Sequence, residues 1–261
     1  RIIFNMNKDF DNELSSCGLV TCKLENFDLV DTLKAKILDV LKNSFGLSIL
    51  ELDEFHKFIN QKELNNIRLK LAASLNEKSY ASDLIYSKLN DLLKTLLGPD
   101  IAIQKNVGLS IQTPGDSSSL LHVHNDVYDS DCSPYEIVIW IPLVDCFGTK
   151  SMFYLPFSHC ESIGKYLELS GNLRKNLQDP EKIKNSIKFM DIKPPSIALF
   201  SHSIWHGNRV NETDETRFSL NVRVKNLFTP YRGKKLGDFF KIAGISQLSK
   251  LASNIEVEMN E

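Results

Sequence analysis

A short stretch containing two histidines and an aspartate is the first part of this sequence that suggests metal chemistry. It reads Leu121-His-Val-His-Asn-Asp126. In an extended chain alternate side chains share a face, so we expect His122, His124 and Asp126 to project together. His124 and Asp126 can then bind one ion. A third ligand from elsewhere would complete the two-histidine, one-carboxylate set that leaves coordination positions open on Fe(II).

The third ligand is expected from the segment Ser201-His-Ser-Ile-Trp-His-Gly-Asn208, which follows a predicted strand. His206 is the first candidate in this segment, and His202 is its competitor. His206 lies 80 residues beyond Asp126. A strand-rich barrel must therefore fold the two residues together.

Arginine is scarce in this chain, with seven residues against 24 lysines, and four of the seven lie close together near the end. In 217–224, the polar residues Arg217, Ser219, Asn221 and Arg223 alternate with apolar ones. If the apolar face packs against helices, the polar face lines a cavity. Because guanidinium pairs bidentately with carboxylate, this face predicts a carboxylate-binding wall. The alternative is a surface strand whose polar face is solvated.

Helices are predicted over most of the first hundred residues. Apolar residues recur at helical spacing after Asp31, which is suited to cap that helix. Two further helices are predicted over 53–76 and 82–97. Near the other end of the chain, 235–252 is predicted to form one amphipathic helix.

From residue 101 the pattern changes to short strands bounded by turn residues. They are predicted over 107–112, 137–141, 151–155, 196–200 and 217–224. This order of elements favours a single α+β domain. Its parts would be a helical flank over 1–100, a β-barrel core over 101–230 and a C-terminal helix over 231–261. Within the core, the charged segment 161–190 is predicted to be an insertion covering the mouth of the barrel, and His159 a turn residue.

Together these motifs resemble the Fe(II)/2-oxoglutarate-dependent oxygenases of double-stranded β-helix (jelly-roll, cupin-like) fold. The match covers 112–223, with the His-x-Asp, the distal His and the Arg-x-Ser in the expected order. It is most similar to the phytanoyl-CoA-dioxygenase-like branch, and within it to oxygenases found with carbohydrate-biosynthesis gene clusters. Four motifs carry this similarity: Gln112-Thr-Pro-Gly-Asp116, Ser133-Pro-Tyr-Glu136, Trp140-Ile-Pro-Leu-Val-Asp145 and Thr149-Lys-Ser-Met152. A fifth, the branch's Pro-Gly-Ser-His turn, matches less well because Phe157 replaces the glycine.

The resemblance implies a role for each matching residue. The iron would be bound by His124, Asp126 and His206. The distal carboxylate of 2-oxoglutarate would be bound by Arg217 and Ser219. The implied reaction couples decarboxylation of 2-oxoglutarate by dioxygen to oxidation of a C–H bond, with hydroxylation as the expected outcome.

Further pocket residues follow from the same resemblance. Gln112 and Trp140 are expected beside the cosubstrate, although Trp140 on pattern alone suits a core position. Arg223, Lys150 and Asn125 are candidate contacts to a polar or anionic substrate. From the resemblance we expect this substrate to be a sugar or sugar derivative.

Two alternatives stay open at this point. One is a cupin-like or zinc metallohydrolase that uses His122, His124 and His206; a cupin also needs a glutamate shortly after the His-x-His, and 127–134 contains none. The other is a non-catalytic barrel that binds a metabolite.

Composition narrows the class of protein. With 42% hydrophobic and 25% charged residues the chain has the profile of a folded domain rather than a disordered one. A net charge of −2 argues against a nucleic-acid partner. Because the five cysteines form no CxxC pair, we expect free thiols in a reducing compartment, with the cytoplasm as default. No apolar run reaches the length of a membrane span, and the oligomeric state is left open.

Overall fold

The computed structural model describes residues 8–118, 120–157 and 187–259. Its helices are α1 (Lys8–Cys17), α2 (Asp28–Phe45), α3 (Leu64–Asn76), α4 (Tyr80–Leu97), α5 (Asp126–Asp129) and α6 (Gln247–Met259), with short 3-10 helices at Leu52–Lys57, Glu77–Ser79 and Gly148–Lys150. Its strands are β1 (Leu19–Lys23), β2 (Ile101–Gln104), β3 (Gly108–Gln112), β4 (Glu136–Pro142), β5 (Met152–Leu155), β6 (Lys188–Phe189), β7 (Ser196–Ser201), β8 (Trp205–Asn208), β9 (Arg217–Asn226) and β10 (Phe240–Gly244). The α+β class predicted from the sequence is confirmed.

Among the described residues, seven strands form an antiparallel sheet in the order β1-β7-β4-β9-β2-β10, with β3 also paired to β9. Three shorter strands form a second sheet in the order β6-β5-β8. The two sheets meet at Phe200 on β7 and His206 on β8, whose ring centroids are 5.1 Å apart. The space between the sheets is the barrel interior.

The predicted alternation of β9 is confirmed. Phe218, Leu220, Val222 and Val224 are fully buried, in one core cluster with residues of α2, α3 and α4. Removing this apolar surface from water fixes the outer face of the strand against the helices. The polar residues of β9 are thereby directed into the barrel interior.

The helix predicted over 53–76 is interrupted. Leu52–Lys57 forms a 3-10 helix, and α3 begins only at Leu64. Between them the Asn60 side chain accepts the N–H of Lys62, while the Glu63 carboxylate accepts the N–H of Asn60. These local bonds compete with helical ones and end the first segment.

Two short strands lie where helix was expected. β1 falls within the predicted helical flank and pairs with β7, and β10 falls within the predicted C-terminal helix and pairs with β2. Both occupy edges of the large sheet, where backbone pairing satisfies N–H and C=O groups and overrides the local helical pattern. The C-terminal helix α6 therefore begins at Gln247 rather than near 235.

The predicted insertion over 161–190 lies mostly outside the described residues, as does His159. Its described end contributes β6, which pairs with β5. The described cysteines, Cys17, Cys22, Cys132 and Cys146, are free thiols as predicted. None of the described helices has the length and apolar character needed to cross a bilayer.

Candidate active site

His124 and His206 face each other across an isolated antiparallel bridge. Each donates its backbone N–H to the other's carbonyl oxygen at 3.0 Å. Opposed residues in such a bridge project to the same side, and the two imidazole centroids are 4.2 Å apart. Backbone pairing alone therefore brings the two rings together.

The hydrogen bonds of the two rings leave the same nitrogen free on each. His124 Nδ1 lies 2.8 Å from the carbonyl oxygen of His122, and His206 Nδ1 lies 3.2 Å from that of Ile204. When Nδ1–H donates to a carbonyl, Nε2 is left unprotonated and available to a metal. Burial, together with the nearby His124, lowers the pKa of His206 to about 3. The ring is therefore neutral at physiological pH.

Asp126 supplies the third group, but not from an extended strand as expected. Asn125 caps α5 by accepting the N–H of Val127 at 3.0 Å, so the chain turns into a helix at Asp126. The carboxylate still faces the histidines: its Oδ1 is 3.8 Å from His124 Nε2. One ligand atom each from His124, Asp126 and His206 lies within 4.8 Å of the other two. These three predicted ligands are thus brought together.

The second carboxylate oxygen of Asp126 contacts two side chains outside the cluster of candidate ligands. Oδ2 lies 2.9 Å from His202 Nδ1 and 3.4 Å from Arg223 Nη2. Burial raises the pKa of this carboxyl, but the contact with His202 and the positive charge of Arg223 outweigh it and hold the pKa well below its usual range. Asp126 is therefore ionised, with Oδ1 directed towards the two histidines.

His202 lies in a buried chain of polar groups that the sequence did not predict. Its Nδ1 contacts Asp126, and its Nε2 is 3.7 Å from Oε2 of Glu136. Neither side chain is exposed to solvent. His202, weighed above as a competing ligand, thus supports the carboxylate rather than joining the cluster with His124 and His206. Two features of the sequence drew attention to Glu136 without giving it this role: it ends the motif Ser133-Pro-Tyr-Glu136, and it directly precedes the apolar strand 137–141.

Arg217 is a buried cation with most of its donors unused. The side chain is 1% exposed and donates one hydrogen bond, from Nη2 to Ser110 Oγ at 3.0 Å. Within the described part of the chain, its Nε and Nη1 have no partner and no carboxylate pairs with it. Burial lowers its pKa to about 10. The hydroxyl of Ser219, on the same face of β9, is also buried without a partner.

The two other predicted pocket residues lie on this face. Gln112 is opposite Arg217 in the β3–β9 pairing; its Nε2 donates to the Arg209 carbonyl at 2.5 Å, and its Oε1 has no partner among the described residues. Trp140 is opposite Asn221 in the β4–β9 pairing and is 1% exposed. Directly paired residues share a face. Trp140 therefore lies in the inner layer, between the cluster of candidate metal ligands and Arg217.

Comparison with solved structures finds the same architecture in proteins of very different sequence. The chain is similar to the non-heme monooxygenase ThoJ in complex with nickel (TM-score 0.58, 14% identity, covering 91% of this chain and 84% of that one). It is similar to EctD from S. alaskensis with 2-oxoglutarate and 5-hydroxyectoine (TM-score 0.59, 15% identity, 87% and 78%). It is also similar to HygX from Streptomyces hygroscopicus with nickel and 2-oxoglutarate (TM-score 0.56, 10% identity, 91% and 98%). No family model and no curated protein sequence matches the chain.

The chain has the fold of the non-heme 2-oxoglutarate oxygenases. The double-stranded β-helix predicted from the sequence is thereby confirmed. Its barrel interior is the space between the two sheets, and this is where the cluster around Asp126 and the buried Arg217 lie.

The three residues expected at the substrate differ in their placement within this fold. Arg223 lies beside Asp126 with its side chain partly exposed, and its Nε has no partner within the described ranges. The Asn125 side chain is fully buried and occupied by bonds to Val127 and Ser203. Lys150 is fully buried and paired with Glu215. Both side chains therefore have partners within the protein, and a contact of Asn125 or Lys150 with the substrate stays a prediction.

Proposed function

We propose that this protein is a non-heme iron oxygenase that uses 2-oxoglutarate and dioxygen to oxidise a C–H bond of a small molecule. The observation that carries this proposal is the buried guanidinium of Arg217, two of whose nitrogens have no partner in the part of the chain that the structure describes. An unpaired buried charge is strongly unfavourable. An anionic ligand explains why the chain keeps it, and a carboxylate matches the planar guanidinium with the Ser219 hydroxyl beside it.

The donor set of the cluster fits iron. Two imidazole nitrogens and one carboxylate oxygen form the two-histidine, one-carboxylate arrangement, which leaves the other positions open for cosubstrate and dioxygen. His124, Asp126 and His206 would hold the metal. Bound there, it supplies the redox chemistry that splits 2-oxoglutarate into succinate and CO₂ and oxidises the substrate.

The inner face of β9 supports an extended path for the cosubstrate. Arg223 contacts Asp126 at one end of this face, and Arg217 lies at the other. The keto-acid end of 2-oxoglutarate would sit at the cluster and the far carboxylate on Arg217 and Ser219. Trp140, buried between these two ends, would keep water from the chain of the cosubstrate.

We propose that the substrate is a sugar or sugar derivative and that the reaction hydroxylates it. The proposed location of the protein is the cytoplasm. Four sequence motifs similar to those of oxygenases from carbohydrate-biosynthesis clusters support the substrate class. The side chain of Arg223 is partly exposed beside the cluster and could donate hydrogen bonds to a hydroxyl or an anionic group of the substrate. The proposal places the substrate on the open side of Asp126, near this side chain.

The hydrolase alternative is less well supported. It requires His122 as a metal ligand, yet this side chain is exposed and does not belong to the cluster formed by His124, Asp126 and His206. Its carbonyl instead accepts the Nδ1–H of His124.

The test is turnover of the cosubstrate. The full chain is purified without oxygen, supplied with Fe(II), 2-oxoglutarate and air, and assayed for succinate with and without a panel of sugars and sugar phosphates. We expect succinate formation that Asp126→Ala abolishes and that one sugar class stimulates. No 2-oxoglutarate turnover, together with stoichiometric zinc and hydrolytic activity, would support the hydrolase instead.

A further inference from the structure

The side chains of Lys234 and Cys132 lie closer together than the nitrogen and sulfur atoms of an ordinary hydrogen bond to sulfur. Lys234 Nζ lies 2.7 Å from Cys132 Sγ, which is shorter than the sum of the van der Waals radii of nitrogen and sulfur. A thiol is only a weak hydrogen-bond acceptor. The attraction between the two groups therefore does not account for the separation.

The surrounding backbone holds this contact from both sides. The Gly233 N–H donates to the Asp131 carbonyl at 3.2 Å, and Arg232 Nε pairs with the Asp131 carboxylate at 3.0 Å. Gly233 packs so closely that a Cβ there would lie 2.5 Å from Asp131 Oδ2. Lys234 Nζ also donates to the Ser130 carbonyl at 3.0 Å. Three contacts around the nitrogen–sulfur pair thus hold segment 130–132 against segment 232–234.

The pair adjoins the candidate metal centre. The backbone N–H of Cys132 donates to the carbonyl of Asp126 at 3.2 Å. One ligand atom each from Asp126, Cys132 and His202 lies within 4.8 Å of the other two. Cys132 is fully buried, so small oxidants that enter the barrel reach it more readily than bulky thiol reagents in solution.

We propose that Cys132 and Lys234 are a site of oxidative cross-linking, in which one oxygen atom bridges Sγ and Nζ. A single bridging oxygen joins the two atoms by two bonds at a bent angle, which requires them to lie about as close as they do here. Neither residue belongs to the proposed iron or 2-oxoglutarate site. The cross-link therefore does not depend on the proposed function.

The chemistry balances with a peroxide as oxidant. The Lys234 ammonium group releases one proton to water, the S–H bond of Cys132 and one N–H bond of the Lys234 amine break, and S–O and O–N bonds form. Two molecules of hydrogen peroxide are reduced, and three molecules of water leave. Sulfur and nitrogen are oxidised, and a thiol reductant reverses the step because the S–O bond, like other reversible cysteine oxidation products, is open to attack by thiolate.

The bridge would tie the segment after α5 to the segment after β9. Asp126 begins α5, and Cys132 is bonded to its carbonyl. Oxidation would thus restrict the loop that carries the metal-binding carboxylate. The geometry points to a redox-dependent restraint beside the active site.

Mass spectrometry of the metal-free full chain tests the proposal. After brief treatment with hydrogen peroxide we expect a mass gain of one oxygen less two hydrogens, and a peptide pair linking Cys132 to Lys234 that disappears on reduction. Cys132→Ser and Lys234→Arg should abolish the linked pair. Lys235→Arg, which changes an exposed neighbouring lysine, should retain it.

Two results would overturn the proposal. One is oxidation of wild-type Cys132 to sulfenic or sulfinic acid with no linked peptide. The other is the same mass change in Lys234→Arg as in the wild type. The wild-type peptide map decides the matter even if a variant fails to fold, and since no metal is present, the result is independent of whether the oxygenase proposal holds.

Discussion

His202 and Asp126 are joined by a 2.9 Å contact between Nδ1 and Oδ2, on the carboxylate oxygen that is not directed to His124. The two oxygens of the buried Asp126 carboxylate thus make different contacts. Oδ1 belongs to the cluster of candidate metal ligands, and Oδ2 is fixed by His202 and Arg223. Glu136 lies beyond His202 and extends the support into the sheet.

Removing this support should weaken metal binding without removing a ligand. We expect His202→Ala to lower the affinity for Ni(II) about 10- to 100-fold, the usual effect of deleting a group that orients a ligand. Calorimetric titration with Ni(II) measures it. His122→Ala is the control and should bind like the wild type; a large loss there instead would favour the hydrolase with His122 as ligand.

The backbone bridge between His124 and His206 predicts a site that persists without metal. We expect His124→Ala to melt within a few degrees of the metal-free wild type, because the bridge uses only main-chain groups. The variant should lose the stabilisation that a metal gives, about 2.7 kcal/mol at a hundred times its Kd. Thermal melts with and without Ni(II) check this. An equal metal-induced rise in Tm would contradict the assignment of His124.

Arg217 and Lys150 offer a matched pair of buried cations. Lys150 is paired with Glu215, whereas Arg217 has no carboxylate partner among the described residues. Arg217→Met should therefore leave the stability of the ligand-free chain unchanged or higher, since it removes an uncompensated buried charge. Lys150→Met should lower the Tm, because it leaves the Glu215 carboxylate unpaired. The opposite order of the two melting temperatures would show that Arg217 is satisfied by the protein itself.

Asn125 was expected to contact the substrate, and its bonds within the protein suggest a structural role that can be tested. Its side chain caps α5 and donates to the Ser203 carbonyl at 2.7 Å, so it joins the Asp126 and His206 segments. We expect Asn125→Ala to lower the free energy of unfolding by about 1 to 2 kcal/mol, the range for a lost helix cap. Denaturant unfolding measures this. Unchanged stability with a raised KM for the substrate would restore the substrate role first expected for Asn125.

Much of the site could be predicted from the local sequence pattern, because the site depends on a strand in which polar and apolar residues alternate strictly. In 217–224, burial of every second residue against helices follows from the sequence itself, and so does the inward direction of Arg217. The spacing of His124 and Asp126 predicted two side chains that the structure brings together, although a helix start, rather than an extended strand, presents the carboxylate. Their role as metal ligands stays a prediction.

What the sequence did not provide depends on contacts between distant segments. β1 and β10 are strands only because β7 and β2 offer them a sheet edge. His202 and His206 are four residues apart, and the sequence allows either as a ligand; only the backbone pairing with His124 places His206 beside the other candidate ligands. Glu136 becomes part of the site only through His202, which is 66 positions away.

The most direct test of the central claim is calorimetric titration of 2-oxoglutarate into the Ni(II)-loaded chain without oxygen. The account places the far carboxylate of this ligand on the guanidinium of Arg217, which has no carboxylate partner among the described residues. It predicts saturable binding to the wild type, weakened at least about 30-fold in Arg217→Met, which corresponds to about 2 kcal/mol for a lost buried charge pair. Equal affinity in the two proteins, at equal Ni(II) loading, would contradict it.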